Sequence, residues 1–267
     1  HLLDVYRPIE RDGPLPAVLY VHGGGFRILS KDTHWVMGLA LSRVGHVVFN
    51  INYRLAPKHP FPAALEDCAT ALCWLANHAS AYGADVGRLV LAGESAGANL
   101  VTALTLLCCY ERGEPWARRV WDRGIVPRVL LPYCGMLQVS DAERFGRAEP
   151  ALSAWLVDHL AAVAAGYLGR PPSEHGSSMD LADPLVTIER GDPPARPWPP
   201  TLAAVGTKDP LIGDTRRLEA ALPAIGATVE ARYYPGEIHA FHAFAFREQA
   251  RQCWRDTYGF LDRHLPT

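Results

Sequence analysis

The stretch LVLAGESAGANL, residues 89–100, is the strongest indication of the fold class, because an apolar run leads directly into a serine flanked by glycines. The run Leu89–Ala92 has the length and composition of a buried strand, and a helical pattern follows at Asn99–Arg112. A strand, a sharp turn and a helix in that order hold a serine in a strained conformation. Gly93 and Gly97 relieve the crowding because they carry no side chain. The pattern predicts that Ser95 is a nucleophile, and a tight turn with an N-capping serine is the alternative.

Strands and helices alternate along the rest of the chain. Short apolar runs predict strands at Leu2–Tyr6, Ala17–Val21, Val47–Ile51, Val126–Leu131, Leu202–Val205 and Val229–Tyr234. Helical spacing predicts helices at Trp35–Arg43, Ala63–Ser80, Thr215–Ile225 and Phe246–Leu265. This alternation is typical of an α/β fold with a mostly parallel central sheet and helices on both faces. One domain over residues 1–267 with an inserted region fits the length as well as two domains do.

The region 137–200 departs from this alternation because it contains a helical pattern at Ala154–Tyr167 but no convincing strand. It ends in a proline-rich loop at 192–200. We interpret it as an insertion over the carboxyl edge of the sheet, where α/β proteins bind ligands. An ordinary crossover helix with a long loop is the alternative. Four side chains of the predicted helix are candidates for a substrate pocket, with core packing as the competing role: Trp155, Leu156, His159 and Leu160.

A second motif, HGGGF at His22–Phe26, follows the predicted strand Ala17–Val21. Three successive glycines leave backbone N–H groups unshielded. An acyl-transfer enzyme needs such donors where the tetrahedral intermediate becomes negative. A phosphate-binding turn and a flexible loop are the alternatives, although no Gly-Lys-Ser/Thr follows, which disfavours a P-loop. Phe26, beside the glycines, is a further pocket candidate.

A nucleophilic serine needs a base, and the base needs an orienting acid. Asp209 lies just after the strand Leu202–Val205, and His239 lies just after the strand Val229–Tyr234. Both therefore belong to the same sheet edge as Ser95, in the chain order Ser, Asp, His that this kind of fold uses. Asp214 is the rival acid and His242 the rival base, and Asp209 could instead cap a turn before Pro210.

The overall composition excludes several classes of protein. The net charge is −2 at pH 7, which gives no field to gather nucleic acid or an anionic membrane. No apolar stretch has membrane-spanning length. The six cysteines show neither a CxxC pair nor a metal-ligand spacing. They predict free thiols, a reducing compartment and hence a cytoplasmic protein.

Five stretches together resemble the bacterial hormone-sensitive-lipase-like esterases of the α/β-hydrolase superfamily. In chain order they are HGGGF at His22–Phe26, YRLAPKHPFPAALED at Tyr53–Asp67, GESAGANL at Gly93–Leu100, DPL at Asp209–Leu211 and the segment His239–Phe241. The chain departs from the family pattern at four positions, none of which bears a reacting group: Lys58, Glu94, Ala98 and Ala240. The prolines and Tyr53-Arg54 of the second stretch are interpreted as structural.

The resemblance implies an α/β-hydrolase fold with an eight-stranded sheet and a helical cap. It implies hydrolysis of short- to medium-chain acyl esters by a triad of Ser95, Asp209 and His239. The N–H groups of Gly24, Gly25 and Ala96 would form the oxyanion hole. Neither a metal nor a cofactor is expected, the partner is a small ester, and a homodimer fits the habit of related esterases.

Two other hypotheses about the function stay open. A catalytically inactive binding protein could keep the fold, although receptors that resemble this family lack the catalytic histidine, whereas His239 is present here. An amidase or an acyltransferase could use the same triad. A covalent serine probe separates the first alternative from an ester hydrolase, and a panel of esters, amides and lactones separates the second.

Overall fold

The computed structural model describes residues 2–9, 13–149 and 151–265. Their strands are β1 (Leu3–Tyr6), β2 (Leu15–Val21), β3 (Val47–Ile51), β4 (Ala84–Glu94), β5 (Val129–Tyr133), β6 (Thr201–Gly206) and β7 (Val229–Tyr234). Their helices are α1 (Trp35–Arg43), α2 (Ala63–His78), α3 (Ala96–Cys109), α4 (Pro115–Trp121), α5 (Arg144–Ala148), α6 (Ala154–Leu168), α7 (Met179–Ala182), α8 (Pro184–Glu189), α9 (Ile212–Ala221) and α10 (Glu248–His264). Short 3-10 turns include Lys31–His34 and Phe241–Ala243.

The strands form one sheet in the order β1-β3-β2-β4-β5-β6-β7. Only β1 runs antiparallel to its neighbour, β3, among the pairings of the described strands. The predicted α/β-hydrolase architecture with a mostly parallel sheet is therefore confirmed. The family resemblance implies eight strands, and this expectation is wrong for the part of the chain that the structure describes, which forms seven. The sheet ends at β1 on one side and β7 on the other, and no described segment extends either edge.

Side chains alternate between the two faces of the sheet, and each face has its own apolar core. In β2, Leu19 and Val21 point into the core shared with α2, α3 and α9, whereas Val18 and Tyr20 point into the core shared with α1 and α10. Because both faces are covered, all seven residues of β2 are buried and read as one continuous apolar run. This double cover holds the carboxyl ends of the central strands in fixed positions.

The region 137–200 contains α5–α8 and no strand among its described residues. It connects β5 to β6, which are neighbours in the sheet. The helix predicted at Ala154–Tyr167 is present as α6, where the side chain of Ser153 accepts a hydrogen bond from the N–H of Leu156. None of the helices in the described ranges is long and apolar enough to cross a membrane.

Two glycines let the helix after β4 pack directly against β2. A Cβ on Gly97 would overlap the carbonyl oxygen of Val21, and a Cβ on Gly93 would lie 2.6 Å from the carbonyl oxygen of Gly97. Neither contact can be relieved by rotating a side chain, because both partners are backbone atoms. The glycines are thus required by close packing, and this packing fixes the turn that carries Ser95.

We expect Gly97→Ala to lower the free energy of unfolding by about 3 kcal/mol, the upper end of the usual cost of overpacking. That loss corresponds to a Tm lower by roughly 6 °C or more in a protein of this size. Gly259→Ala is the matched control, because its Cβ would meet nothing closer than the Arg263 side chain at 3.6 Å. Thermal unfolding followed by circular dichroism measures both, and equal Tm values for the two variants would contradict the packing argument.

Candidate active site

The turn between β4 and α3 presents Ser95 at the carboxyl edge of the sheet. Ser95 has φ 54° and ψ −115°, a backbone conformation that L-residues rarely adopt. The turn is held because the Ser95 N–H donates to the carbonyl oxygen of Tyr133, at 2.9 Å. The structure thus gives Ser95 the strained strand-to-helix turn that the sequence pattern predicts, with the side chain half-buried at the mouth of a cavity.

Asp209 and His239 meet at the same edge, one after β6 and one after β7. The Nδ1 of His239 donates to Oδ2 of Asp209 at 2.8 Å, while Oδ1 of Asp209 accepts from the N–H of Leu211 at 2.8 Å. Asp209 is 2% exposed, whereas 35% of the His239 side chain is accessible. The ring is therefore fixed by a buried carboxylate on one side and open to the cavity on the other. His239 and Ser95 both line that cavity.

The rival acid and the rival base lie elsewhere and have other partners. Asp214 is 1% exposed and accepts from the N–H of Leu137 and from Arg144, at 2.8 and 2.5 Å. His242 is 2% exposed and packs on Tyr133, with ring centroids 4.9 Å apart. Neither Asp214 nor His242 is among the residues that line the cavity.

The glycine loop after β2 offers backbone N–H groups to the cavity. Gly24 and Gly25 have φ of 105° and 58°, and a Cβ on Gly24 would overlap the carbonyl oxygen of Ile28. Within the described ranges, no protein group accepts a hydrogen bond from the N–H of either glycine. Ala96 is the first residue of α3, so its N–H has no partner within the helix. All three residues line the same cavity as Ser95.

The cavity has a volume of about 840 Å³, and all five predicted pocket residues line it. Phe26 forms part of its wall and is fully buried, stacked on Tyr167 with ring centroids 3.7 Å apart. The other four lie on α6, and Trp155 is 73% exposed and stacks on His159, with ring centroids 5.4 Å apart. Leu156 and Leu160 complete this side. The arrangement brings an apolar wall, a serine, a histidine and free N–H donors around one space.

Two further features of the site are weakly marked or unmarked in the sequence: the Cys134 thiol and the contact of His34 with Glu94. The thiol of Cys134, after β5, lies with the donor atoms of Asp209 and His239 in a group that spans 4.8 Å, a set that could ligate a metal. Burial raises the pKa of the Cys134 thiol. His34 contacts the carboxylate of Glu94 from 60 residues away in sequence. An acidic residue before the serine was noticeable in the sequence, but no motif marked Cys134 or His34.

Comparisons with known proteins identify the family and several relatives. A family profile described as alpha/beta hydrolase fold matches residues 18–243. The chain is 30% identical over 244 residues to the carboxylesterase NlhH of Mycobacterium tuberculosis, covering 89% of this chain and 70% of that one. It is 34% identical over 240 residues to the esterase LipI of the same organism, covering 86% and 67%. A hyperthermophilic esterase from Pyrobaculum calidifontis superposes with a TM-score of 0.78 at 29% identity, covering 98% of this chain and 80% of that one.

The profile covers most of the chain, and the relatives align over most of their own lengths. Strands β3 to β7, the serine turn and the glycine loop lie within the matched region. The resemblance predicted from the motifs is confirmed, and the chain belongs to the α/β-hydrolase fold family, among its hormone-sensitive-lipase-like members.

Proposed function

We propose that the protein is a carboxylic ester hydrolase in which Ser95 is the nucleophile, His239 the base and Asp209 the orienting acid. The observation that carries the proposal is one cavity lined by Ser95, by His239 and by Gly24 and Gly25, whose N–H groups have no partner among the described residues. The 2.8 Å bond between His239 and Asp209 supports the roles of the last two. The names of the relatives, carboxylesterase and esterase, support the reaction class.

The reaction follows from the donors and acceptors at the site. Nε2 of His239 takes the Ser95 proton as Oγ attacks the ester carbonyl, and Nδ1–H to Asp209 keeps the ring in the required tautomer. The N–H groups of Gly24, Gly25 and Ala96 stabilise the oxyanion. His239 returns the proton to the leaving alcohol, and an acyl-enzyme remains. Water activated by His239 then releases the acid and restores Ser95.

We propose further that residues 137–200 form a cap that selects the acyl chain. Helix α6 supports this role because it supplies five residues to the wall of the cavity that Ser95 also lines: Trp155, Leu156, His159, Leu160 and Val163. The apolar lining and the volume of about 840 Å³ suit short- to medium-chain acyl groups. The homodimer and the cytoplasmic location remain predictions, which gel filtration and cell fractionation test.

The test combines a serine probe with a substrate panel. A fluorophosphonate should label the protein, and peptide mapping should place the label on Ser95. p-Nitrophenyl esters of increasing chain length should be hydrolysed, and matched anilides should turn over much more slowly. Labelling without ester turnover would contradict hydrolysis, and an absence of labelling would favour the inactive binding protein.

Narrowing the cavity should shorten the preferred acyl chain. Leu156→Trp is expected to lower kcat/KM for the octanoate ester by about tenfold, since each displaced methylene loses roughly 0.8 kcal/mol of burial. Turnover of the acetate ester should change by less than about twofold, because an acetyl group loses few of these contacts. Asp158→Trp places the same side chain at an exposed position of α6 outside the cavity wall and should leave both substrates unaffected. Equal losses for the two esters would contradict a role of α6 in chain selection.

The pH dependence of turnover should report His239. Burial alone would lower the pKa of this imidazole, but the Asp209 carboxylate, 2.8 Å away, outweighs it and holds the pKa above its usual value. Below that pKa the ring is protonated and cannot accept the Ser95 proton, so kcat/KM should fall on the acid side with a midpoint above about 6.5. A pH-stat assay measures the profile without relying on nitrophenolate absorbance. A midpoint below the usual value would contradict the role of the buried carboxylate.

A further inference from the structure

A buried carboxylate lies directly before the nucleophile, between two histidines. Oε1 of Glu94 is 2.6 Å from Nε2 of His34, and Oε2 is 2.7 Å from Nε2 of His242. The three residues are 5%, 6% and 2% exposed. The contact with His34 has hydrogen-bond geometry, whereas the contact with His242 is close but does not meet hydrogen-bond geometry. None of the three residues has a part in the acyl-transfer steps described above.

The groups around the two ring nitrogens of His34 determine how many protons the ring carries. Its Nε2 faces a carboxylate, which accepts. Its Nδ1 faces the carbonyl oxygen of Ser30 at 3.1 Å and Oγ1 of Thr33 at 2.9 Å, and the Thr33 hydroxyl can also donate to the Ser30 carbonyl. The Thr33 hydroxyl has one hydrogen: when it donates to Ser30, both ring nitrogens of His34 donate and the ring is an imidazolium, whereas when it donates to Nδ1 the ring is neutral and its one proton lies on Nε2, facing Glu94.

The direction of each pKa bears on which of these two states the ring adopts. Burial lowers the pKa of His34, but the bond to Glu94 outweighs it and the net pKa is raised. Burial raises the pKa of Glu94, but His242 and His34 outweigh it and the net pKa is lowered. The neighbouring His22 has its pKa lowered to about 4, mainly by burial, so it is neutral at pH 7. Both directions favour the charged forms, a carboxylate on Glu94 and an imidazolium on His34.

Glu94 belongs to the nucleophile turn and lies against two of the other segments at the site, the glycine loop with the turn that follows it and the base loop. It is the last residue of β4 and directly precedes Ser95. His34 ends the 3-10 turn Lys31–His34 that follows the glycine loop, and a Cβ on Gly23 of that loop would lie 3.2 Å from Cγ of Glu94. His242 lies three residues after His239. Its carbonyl oxygen accepts from Nε1 of Trp254 on α10, at 3.0 Å, so the base loop is anchored to the core on its other side.

We infer that Glu94 is a positioning residue for acyl transfer: its two carboxylate oxygens tie the loop of oxyanion donors and the loop of the base to the nucleophile turn. This inference rests on the proposed function. The charge of Glu94 matters as well as its shape, because the amide of a glutamine would turn its NH₂ group toward one of the two histidines. Small displacements of reacting groups lower kcat steeply, since a shift of about 1 Å can cost about a hundredfold. Glu94 itself lines the cavity, but the part of the wall that α6 supplies for the acyl chain makes none of these contacts.

Glu94→Gln tests the inference, because it preserves the shape and removes the charge. We expect kcat for the butyrate ester to fall by about 30- to 300-fold while KM changes by less than about threefold. Glu94→Asp should recover part of the loss, to within about tenfold of wild type, because it restores the charge with a shorter reach. Should the glutamine variant fail to fold, the aspartate variant alone should show a loss in kcat at unchanged KM.

Asp214→Asn is the matched control, since Asp214 is also a buried carboxylate in an ion pair but does not line the cavity. It should lose stability in thermal unfolding while kcat stays within about twofold of wild type. The inference is overturned if Glu94→Gln keeps kcat within about twofold, loses no more kcat than the control, or raises KM alone. A wild-type protein that neither hydrolyses esters nor takes a fluorophosphonate label at Ser95 would overturn the proposed function, and this inference with it.

Discussion

Ser95→Ala is expected to lower kcat for p-nitrophenyl butyrate by about 10⁵-fold or more, because loss of the nucleophile leaves only the oxyanion donors and binding. Alanine keeps the Cβ of serine, so the strain at φ 54° is unchanged and the fold should persist. Circular dichroism and thermal unfolding check the fold. Turnover and fluorophosphonate labelling check the chemistry, and both should disappear together.

Ser42→Ala is a suitable control for this substitution. Ser42 is buried on α1, where its hydroxyl donates to the carbonyl oxygen of Leu39 at 3.2 Å, and it does not line the cavity. Its removal should leave kcat unchanged and cost at most about 1.5 kcal/mol of stability. If the Ser95→Ala variant retained more than about one-hundredth of wild-type turnover, the assignment of the nucleophile would be wrong.

Asp209→Asn should have the second largest effect, a loss of about 10⁴-fold in kcat, as when the equivalent carboxylate is replaced in a serine-protease triad. The amide can donate to Nδ1 of His239 and so stabilise the wrong tautomer, whose Nε2 carries a proton and cannot act as a base. The 2.8 Å bond from His239 to Oδ2 is the contact that changes. Steady-state kinetics at saturating ester measures the loss.

The rival acid provides the comparison for Asp209. Asp214 accepts from the N–H of Leu137 and from Arg144, so Asp214→Asn should weaken the fold locally and leave His239 untouched. We expect kcat to change by less than about twofold in that variant. A greater loss of kcat in Asp214→Asn than in Asp209→Asn would exchange the roles of the two acids.

Much of the fold could be predicted because the buried strands are short, apolar and clearly bounded. The predicted bounds of β3, β7 and α1 are those observed. The start of α3 was placed at Asn99, three residues late, because Ala96, Gly97 and Ala98 carry no helix-start signal and the preceding Ser95 makes no side-chain cap. The sheet has seven described strands where eight were expected, and that error came from the family resemblance and not from the pattern of this chain.

The residues of the candidate site also fall into two groups: some are marked by a local sequence motif, and others reach the site only through long-range contacts. Ser95, Asp209 and His239 each follow a strand in a recognisable motif, so their convergence at one sheet edge followed from parallel topology. His34 has no motif, and its contact with Glu94 exists only because the turn at Lys31–His34 folds back over β4. Cys134 similarly reaches Asp209 and His239 only through the adjacency of β5, β6 and β7.

The serine, the acid, the base and the glycine loop each follow a different strand: β4, β6, β7 and β2. In the sheet order β2-β4-β5-β6-β7, strand β5 joins the pair β2-β4 to the pair β6-β7, so the four strands come together only when β5 has also paired. No fragment that lacks one of these pairings can align the reacting atoms. During refolding from denaturant, the recovery of serine labelling should therefore follow the slowest step of sheet assembly. A small covalent reagent would then count the completely folded molecules in a mixture, whereas circular dichroism reports an average over folded and partly folded molecules.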